Sequence, residues 1–435
     1  MPKKNQENNR WLILSYCSNI EGSACAQHLD DRLPYFRQKG IRVVLLTGVT
    51  GLRHSCLRHV RVASVAPSGI RFELRHLLRK RISQKWLFKL FETILLAPVL
   101  PFYLLEKILI DIESEWSWFL LAAVKGGKVA QQFHPTVIYS TGGSASAHIA
   151  AWWIARRTKK TWIAEFQDPL VHGDWGRSRR VLKIFLWVER LICRQASAVV
   201  FLTRAAMEHC KGRTALNGKG YVIYPGSRPK ILPDIQFREH NFFTFTHLGS
   251  LSGSRNLDVF LQGLKLLFDE QPQWRSVVKL DLYGSMDKLC KESVENFPYP
   301  GVISDHGKTT REQALEAMMQ SDCLLLIQNT QAFSEETIPS KVYEYFFSRR
   351  PILGLTYHNN ELDEMLRNDG HFVAPADNAH EVAARINDIL RQFREGRLFQ
   401  AGGMVNEWTA KNAVDQLLAV GKKLERQQVG TTCGH

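Results

Sequence analysis

Short runs of aliphatic, β-branched and aromatic residues recur along the chain, each bounded by turn residues and followed by a helix-length amphipathic stretch. That alternation predicts parallel strands joined by crossover helices. The first set of strands is expected at Trp11 to Tyr16, Val43 to Thr47, Val137 to Ser140, Trp162 to Phe166, Ala198 to Thr203 and Tyr221 to Tyr224. A turn-rich passage, Pro225 to Pro233, then interrupts the pattern and predicts a linker. Beyond it the strands resume at Phe243 to Leu248, Val278 to Tyr283, Val302 to Ser304, Cys323 to Gln328, Ile352 to Leu355 and Phe372 to Val373. Intervening helices are expected at Leu257 to Asp269 and Arg311 to Gln320, among others. The expectation is an α/β chain of two Rossmann-like, doubly wound parallel-sheet domains, residues 1–230 and 231–403, facing an inter-domain cleft. A last helix within residues 404–435 should pack back on the domain junction.

Composition supports globular domains: of 435 residues, 45% are hydrophobic and 23% charged, which excludes disorder, collagen and simple coiled coil. Eight cysteines without a Cys-x-x-Cys pair fit a reducing compartment, so a cytoplasmic location is expected. The polar opening Met1 to Arg10 and the short apolar run after it do not make an export signal. The net charge of +15 is unevenly spread. Between Arg53 and Lys89 stand ten basic residues and one acid, Glu73, and this block runs into the apolar stretch Trp86 to Ile110. Prolines and charges within that stretch argue against a spanning helix. Two readings of segment 53–110 stand: contact with an anionic membrane surface, or a buried helix with a solvated basic flank. Nucleic acid is not expected as a partner, because neither a binding motif nor an aromatic stacking platform accompanies the charge.

The densest chemical signal runs from Ser321 to Leu355. There an apolar strand enters a polar loop, and a helix is expected to open at Ile338, Pro339 and Ser340. Free amides at such an opening make an anion site at the carboxyl end of a strand. Lys341 would sit in the first helical turn, where the dipole disfavours a cation unless an anionic ligand is present. Glu336 and Glu344 stand across this start with seven residues between them.

The string from Glu336 to Tyr345, followed by Arg350, Pro351, Ile352 and Leu353, resembles the donor-site signature of family-4 retaining glycosyltransferases with the GT-B fold, in the form found in builders of bacterial surface polysaccharides. The resemblance implies that Glu336 approaches the donor sugar's hydroxyls and Glu344 the nucleotide ribose. It places the backbone around Ile338, Pro339 and Ser340 at the diphosphate. Gly249 to Asn256 is similar to the family's first donor-domain loop, implying contacts from Gly249 and Ser250 and a cation from Arg255. Ser250 stands where many members carry Arg, which leaves Arg255 or Lys341 to supply charge. His306, in the family's base-binding position, is either a ligand contact or incidental.

On the acceptor side, Gly22 and Ser23 resemble the family's small-residue loop, or else form a simple strand-to-helix turn. Asp168 occupies the position where many members place a catalytic His and could orient or deprotonate the acceptor hydroxyl; a turn-forming role before Pro169 is the other reading. Gly142, Gly143 and Ser144 give a second glycine-rich strand exit, and Asp111 to Trp116 resembles a segment of related enzymes to which no chemistry is assigned. Neither a His pair nor an Asp cluster has metal-binding form, so no metal or other cofactor is expected. The implied function is transfer of a sugar, with retention, from a nucleotide-diphosphate sugar to a lipid-linked saccharide at the inner membrane face. The alternatives are a GT-B nucleotide-sugar epimerase or hydrolase and a non-catalytic binding protein.

Overall fold

A computed structural model describes residues 9–20, 23–172, 177–228, 242–397 and 406–432, except the side chains of Asn406 and 428–432. The expected linker is thus described only as far as Arg228. The chain divides into two compact units, residues 1–225 with 410–435, and 226–409.

In the first unit the elements run β1 (Arg10–Leu14), α1 (Ala24–Gln38), β2 (Arg42–Thr47), β3 (Arg58–Arg61), α2 (Pro67–Arg81), α3 (Lys85–Leu96), α4 (Leu100–Leu109), α5 (Trp118–Phe133), β4 (Val137–Gly142), α6 (Ala145–Thr158), β5 (Thr161–Phe166), α7 (Arg179–Gln195), β6 (Ala198–Phe201), α8 (Arg204–Arg213) and β7 (Gly220–Val222). The second continues with β8 (Phe243–Leu248), α9 (Asp258–Glu270), β9 (Val278–Tyr283), α10 (Lys288–Glu295), β10 (Ile303–Gly307), α11 (Arg311–Gln320), β11 (Cys323–Ile327), α12 (Lys341–Ser348), β12 (Ile352–Thr356), α13 (Asn360–Asn368), β13 (Phe372–Pro375) and α14 (Ala379–Arg394). The chain then returns to the first unit as α15 (Ala410–Thr432).

Both sheets are parallel, ordered β3-β2-β1-β4-β5-β6-β7 and β10-β9-β8-β11-β12-β13. The period of two explains why each face needs a cover. Trp11 and Ile13 pack with Leu29, Phe36, Val414 and Leu417 on one side, while Leu12 and Leu14 pack with Trp118, Ala122 and Ile154 on the other. In each sheet the order reverses beside the first strand, between β1 and β4 and between β8 and β11. Such a switch point opens a crevice outside the carboxyl ends of the strands.

Three local expectations differ from the structure. Strand β3 lies outside the expected set: Arg58-His59-Val60-Arg61 carries little apolar signal, and as an edge strand it tolerates charge. Strand β10 extends to Gly307 and takes in His306. The helix expected to open at Ile338 opens at Lys341. The Gln328 and Asn359 side-chain amides bond the Thr337 carbonyl at 3.2 and 3.1 Å, Thr337 is extended, and Ile338 precedes a proline that disfavours helical backbone.

One buried ion pair ties three elements of the first unit. Arg32 on α1 meets Glu165 on β5 at 2.7 Å, both fully buried, and Tyr139 and Thr141 on β4 complete the network at 3.0 and 2.7 Å. Glu165→Leu would strand a buried guanidinium and should cost about 3–5 kcal/mol in urea unfolding followed by tryptophan fluorescence. Adding Arg32→Met should restore most of that loss.

Candidate functional site

The carboxyl edge of the second sheet is closed by glycines that the geometry requires. Gly249 and Gly284 follow β8 and β9 with φ of +143° and +140°, backbone that L side chains rarely adopt. The Gly249 amide donates to the Tyr283 carbonyl at 2.6 Å, and that of Gly284 to the Gly307 carbonyl at 2.7 Å. A Cβ at Gly284 would lie 2.0 Å from the Gly249 oxygen, and one at Gly249 would lie 2.5 Å from Lys341 Cε. The missing side chain is what lets the Lys341 stem rest against the first strand exit.

Two cations meet at this edge. Burial draws the Lys341 ammonium below the usual lysine range; Glu344 opposes that, while Arg311 and Arg255 add to it. Burial likewise lowers Arg255, whose Nε and Nη2 donate to the Asn329 amide oxygen at 3.2 and 2.7 Å. Asn329 follows β11, so this contact joins the two loops that flank the switch point. Among the described residues neither Lys341 nor Arg255 forms an ion pair. His247, buried at the end of β8, bonds the Leu325 carbonyl through Nδ1 at 3.0 Å. Burial holds it down at about 4, so it adds no third charge.

The remaining expected residues surround this pair in different ways. Glu344 is paired with Arg311 of α11. Glu336 ends a single 3-10 turn, Ser334–Glu336, and is 3% exposed. That turn is pinned from beneath, because Gln328 Nε2 donates to the Ser334 carbonyl at 2.7 Å. Ile338, Pro339 and Ser340 are half-buried in the passage entering α12, and the Ser340 side chain makes no capping bond. Ser250 is exposed, its hydroxyl 2.9 Å from that of Ser285. His306 is the extra residue where the β9–β10 register shifts; its ring lies flat on Tyr283, centroids 4.3 Å apart, with Nε2 3.3 Å from Asp281.

In the first unit, Asp168 follows β5 and lies beside the exits of its neighbours. Cys25 Sγ donates to Asp168 Oδ2 at 3.7 Å, and a Cβ at Gly143 would sit 3.0 Å from that oxygen. Burial raises the Asp168 carboxyl, against the Cys25 bond and His172. Ser23 caps α1, accepting from the Ala26 amide at 3.4 Å. Gly22 lies outside the described residues.

Sequence reasoning missed the supporting residues Gln328, Asn329, Asn359 and Arg311. The polar pair Gln328-Asn329, directly after five apolar strand residues, was the available signal. It also missed Glu113 and Glu115 in the segment given no chemistry. Burial raises both carboxyls, Glu113 further because of Glu115; Glu113 accepts from the Ala145 amide at the start of α6 at 3.1 Å and lies 3.6 Å from Arg177. No group of three or more metal-ligating side chains is placed to hold an ion among the described residues.

No family model matches the chain, and no curated protein matches its sequence. Solved structures do match in fold. HepE from Anabaena in complex with UDP aligns at a TM-score of 0.57 and 13% identity over 98% of this chain and 100% of that one. TarM from S. aureus, in a complex that includes UDP, aligns at 0.62 and 9% identity over 95% and 99%. The lipopolysaccharide outer core galactosyltransferase WaaB aligns at 0.54 and 9% identity over 97% and 99%. These neighbours are GT-B glycosyltransferases, and at such identities the likeness shows the fold: two parallel α/β units of the GT-B type.

The cation pair can be tested with inorganic pyrophosphate. An anion raises the pKa of Lys341 on binding, so binding should take up protons and weaken as pH rises through the lysine's depressed value. Calorimetry in buffers of different ionisation enthalpy should show that uptake at alkaline pH. Lys341→Met should remove the uptake and cost about 1.5–3 kcal/mol of affinity.

Proposed function

We propose that the chain is a glycosyltransferase that takes its sugar from a nucleoside-diphosphate sugar held at the carboxyl edge of the second unit. One observation carries the reading: Lys341 and Arg255 are both half-buried at this edge, and among the described residues neither forms an ion pair. Burying charge is costly unless it is compensated. An incoming diphosphate supplies the missing negative charge, and the same cations stabilise it as a leaving group when the glycosidic bond breaks. Glu336 would accept hydrogen bonds from the sugar hydroxyls and Glu344, with its Arg311 partner, would face the ribose. The flat His306–Tyr283 pair offers a surface on which a base can stack. Neighbours of this fold have been solved with UDP and with UDP-glucose, which makes a UDP-sugar the first donor to try.

The finer expectations belong to the same proposal. The mechanism would be retaining and of the family-4 type, with two cations serving the diphosphate in place of a metal. The acceptor would be a lipid-linked saccharide of a surface-polysaccharide pathway, met by the first unit near Ser23 and Asp168. Asp168, its carboxyl raised by burial, is the nearest base to offer the acceptor hydroxyl. The protein would work from the cytoplasmic side, as a peripheral protein on the inner face of the membrane.

A thermal-stability panel of nucleoside diphosphates tests the donor class: the preferred one, at about 100 times its Kd, should add about 2.7 kcal/mol. Sugar transfer to a lipid-linked acceptor should fall by roughly 10²–10³ in Lys341→Met and in Arg255→Ala. Full donor turnover without acceptor would favour the epimerase or hydrolase, and stabilisation without turnover a binding protein.

A further inference from the structure

Helices α3 and α4 turn a broad apolar face to the outside. Trp86, Leu90 and Ile94 on α3 and Phe102, Leu105 and Ile108 on α4 are all exposed, Ile108 by 75% and Trp86 by 66%. By length and hydropathy the stretch Lys85–Leu109 could cross a bilayer, yet only 6% of its most apolar window is buried in the protein. Its polar flank is pinned to α2 at two places. Glu92 pairs with Arg75 at 2.7 Å, and Glu106, buried, accepts from the Ser68 amide and hydroxyl at 2.8 and 2.6 Å. Tethers fourteen residues apart on one side hold the stretch lengthwise against the first unit, with the apolar side turned away.

Between these helices lie two adjoining cavities of opposite character. One, of about 320 Å³, is lined by Arg71, Arg75, His76 and Arg79 together with Ser68 and Tyr103. The other, of about 250 Å³, is lined by Leu96, Ala97, Val99 and Leu100 together with Thr93 and the Arg75-paired Glu92. Arg71 and Tyr103 border both, the guanidinium 4.5 Å from the centre of the ring. The acids close by are committed: Glu92 to Arg75, Glu106 to Ser68, and Glu73 to the Tyr16 hydroxyl and the Ser64 amide.

We propose that this pair of cavities is a binding site for a phosphate-bearing lipid in the membrane, its phosphate between Arg71 and Arg79 and the start of its chain beside Leu96, Val99 and Leu100. The exposed face of α3 and α4 rests in the same lipid surface. The site deepens the reading given under Proposed function, since it supplies a place for the carrier lipid of the acceptor. A soluble anion would use the arginines and leave the apolar cavity and face without purpose.

The test uses the full chain with phosphatidylcholine vesicles, with and without phosphatidic acid, and inorganic phosphate as a separate arm. Flotation should require phosphatidic acid. Arg71→Gln with Arg79→Gln should weaken it roughly thirtyfold, at about 1 kcal/mol per cation. Phe102→Glu with Ile108→Glu, both at exposed positions, should abolish flotation on the vesicles that contain phosphatidic acid. Equal flotation on both vesicles, wild-type flotation by the arginine variant, or thermal stabilisation by inorganic phosphate equal to that by the lipid would each overturn the proposal. Slow background hydrolysis of the donor separates it from the reading it rests on, because both double variants should keep the wild-type background rate with UDP-glucose. Lipid-dependent flotation without any nucleotide-sugar turnover would leave the lipid site standing and remove the glycosyltransferase; turnover with failed lipid arms would do the reverse.

Discussion

Two half-buried cations at one strand edge, neither in an ion pair among the described residues, set the terms for the second unit. Lys341 and Arg255 repel one another, and the fold tolerates both because other groups are arranged around them. Gly249 gives up its side chain to make room for the Lys341 stem, and Asn329 meets Arg255 with a neutral amide oxygen. Glu344, which attracts Lys341, is itself taken up by Arg311. The result is positive charge at this edge that no ion pair among the described residues answers.

Parallel sheet topology decides where that demand is placed. Strands that all run one way deliver their exits to a single edge, and the reversal between β8 and β11 parts two of those exits. Arg255 comes from one exit and Asn329 from the other, so their contact spans the switch point. The first unit repeats the logic with different chemistry. There the exits of β4 and β5 bring Gly143 and Asp168 to the start of α1, and Glu113 meets the opening of α6. Acids raised by burial gather at that edge, whereas cations lowered by burial gather at the other.

The insertion between β3 and α5 departs from this economy. A helix pair closed on both faces would have buried Phe102 and Ile108; here the polar flank is anchored and the apolar flank left open. Glu106 shows how local the anchoring is, since one carboxylate receives the Ser68 amide, the Ser68 hydroxyl and the Trp116 indole. Removing apolar surface from water is favourable, yet among the described residues this face stands uncovered.

What the linear pattern settled was the alternation of strands and helices, hence two parallel sheets, and the concentration of chemistry around Glu336 to Tyr345. These follow from hydrophobic period and turn residues, which act over a few positions and survive without knowledge of neighbours. It also separated the basic block from the apolar stretch after it, but could not say which sides of those helices would be covered. Tertiary structure decided the rest: that helix α12 waits until Lys341, that Glu344 answers to Arg311, that His306 lies flat on Tyr283, and that Glu113 is buried against the start of α6. Each of these depends on a partner some 20 to 35 residues away. Distances of that kind are created only when the sheet closes and brings strand exits together, and no spacing along the chain encodes them.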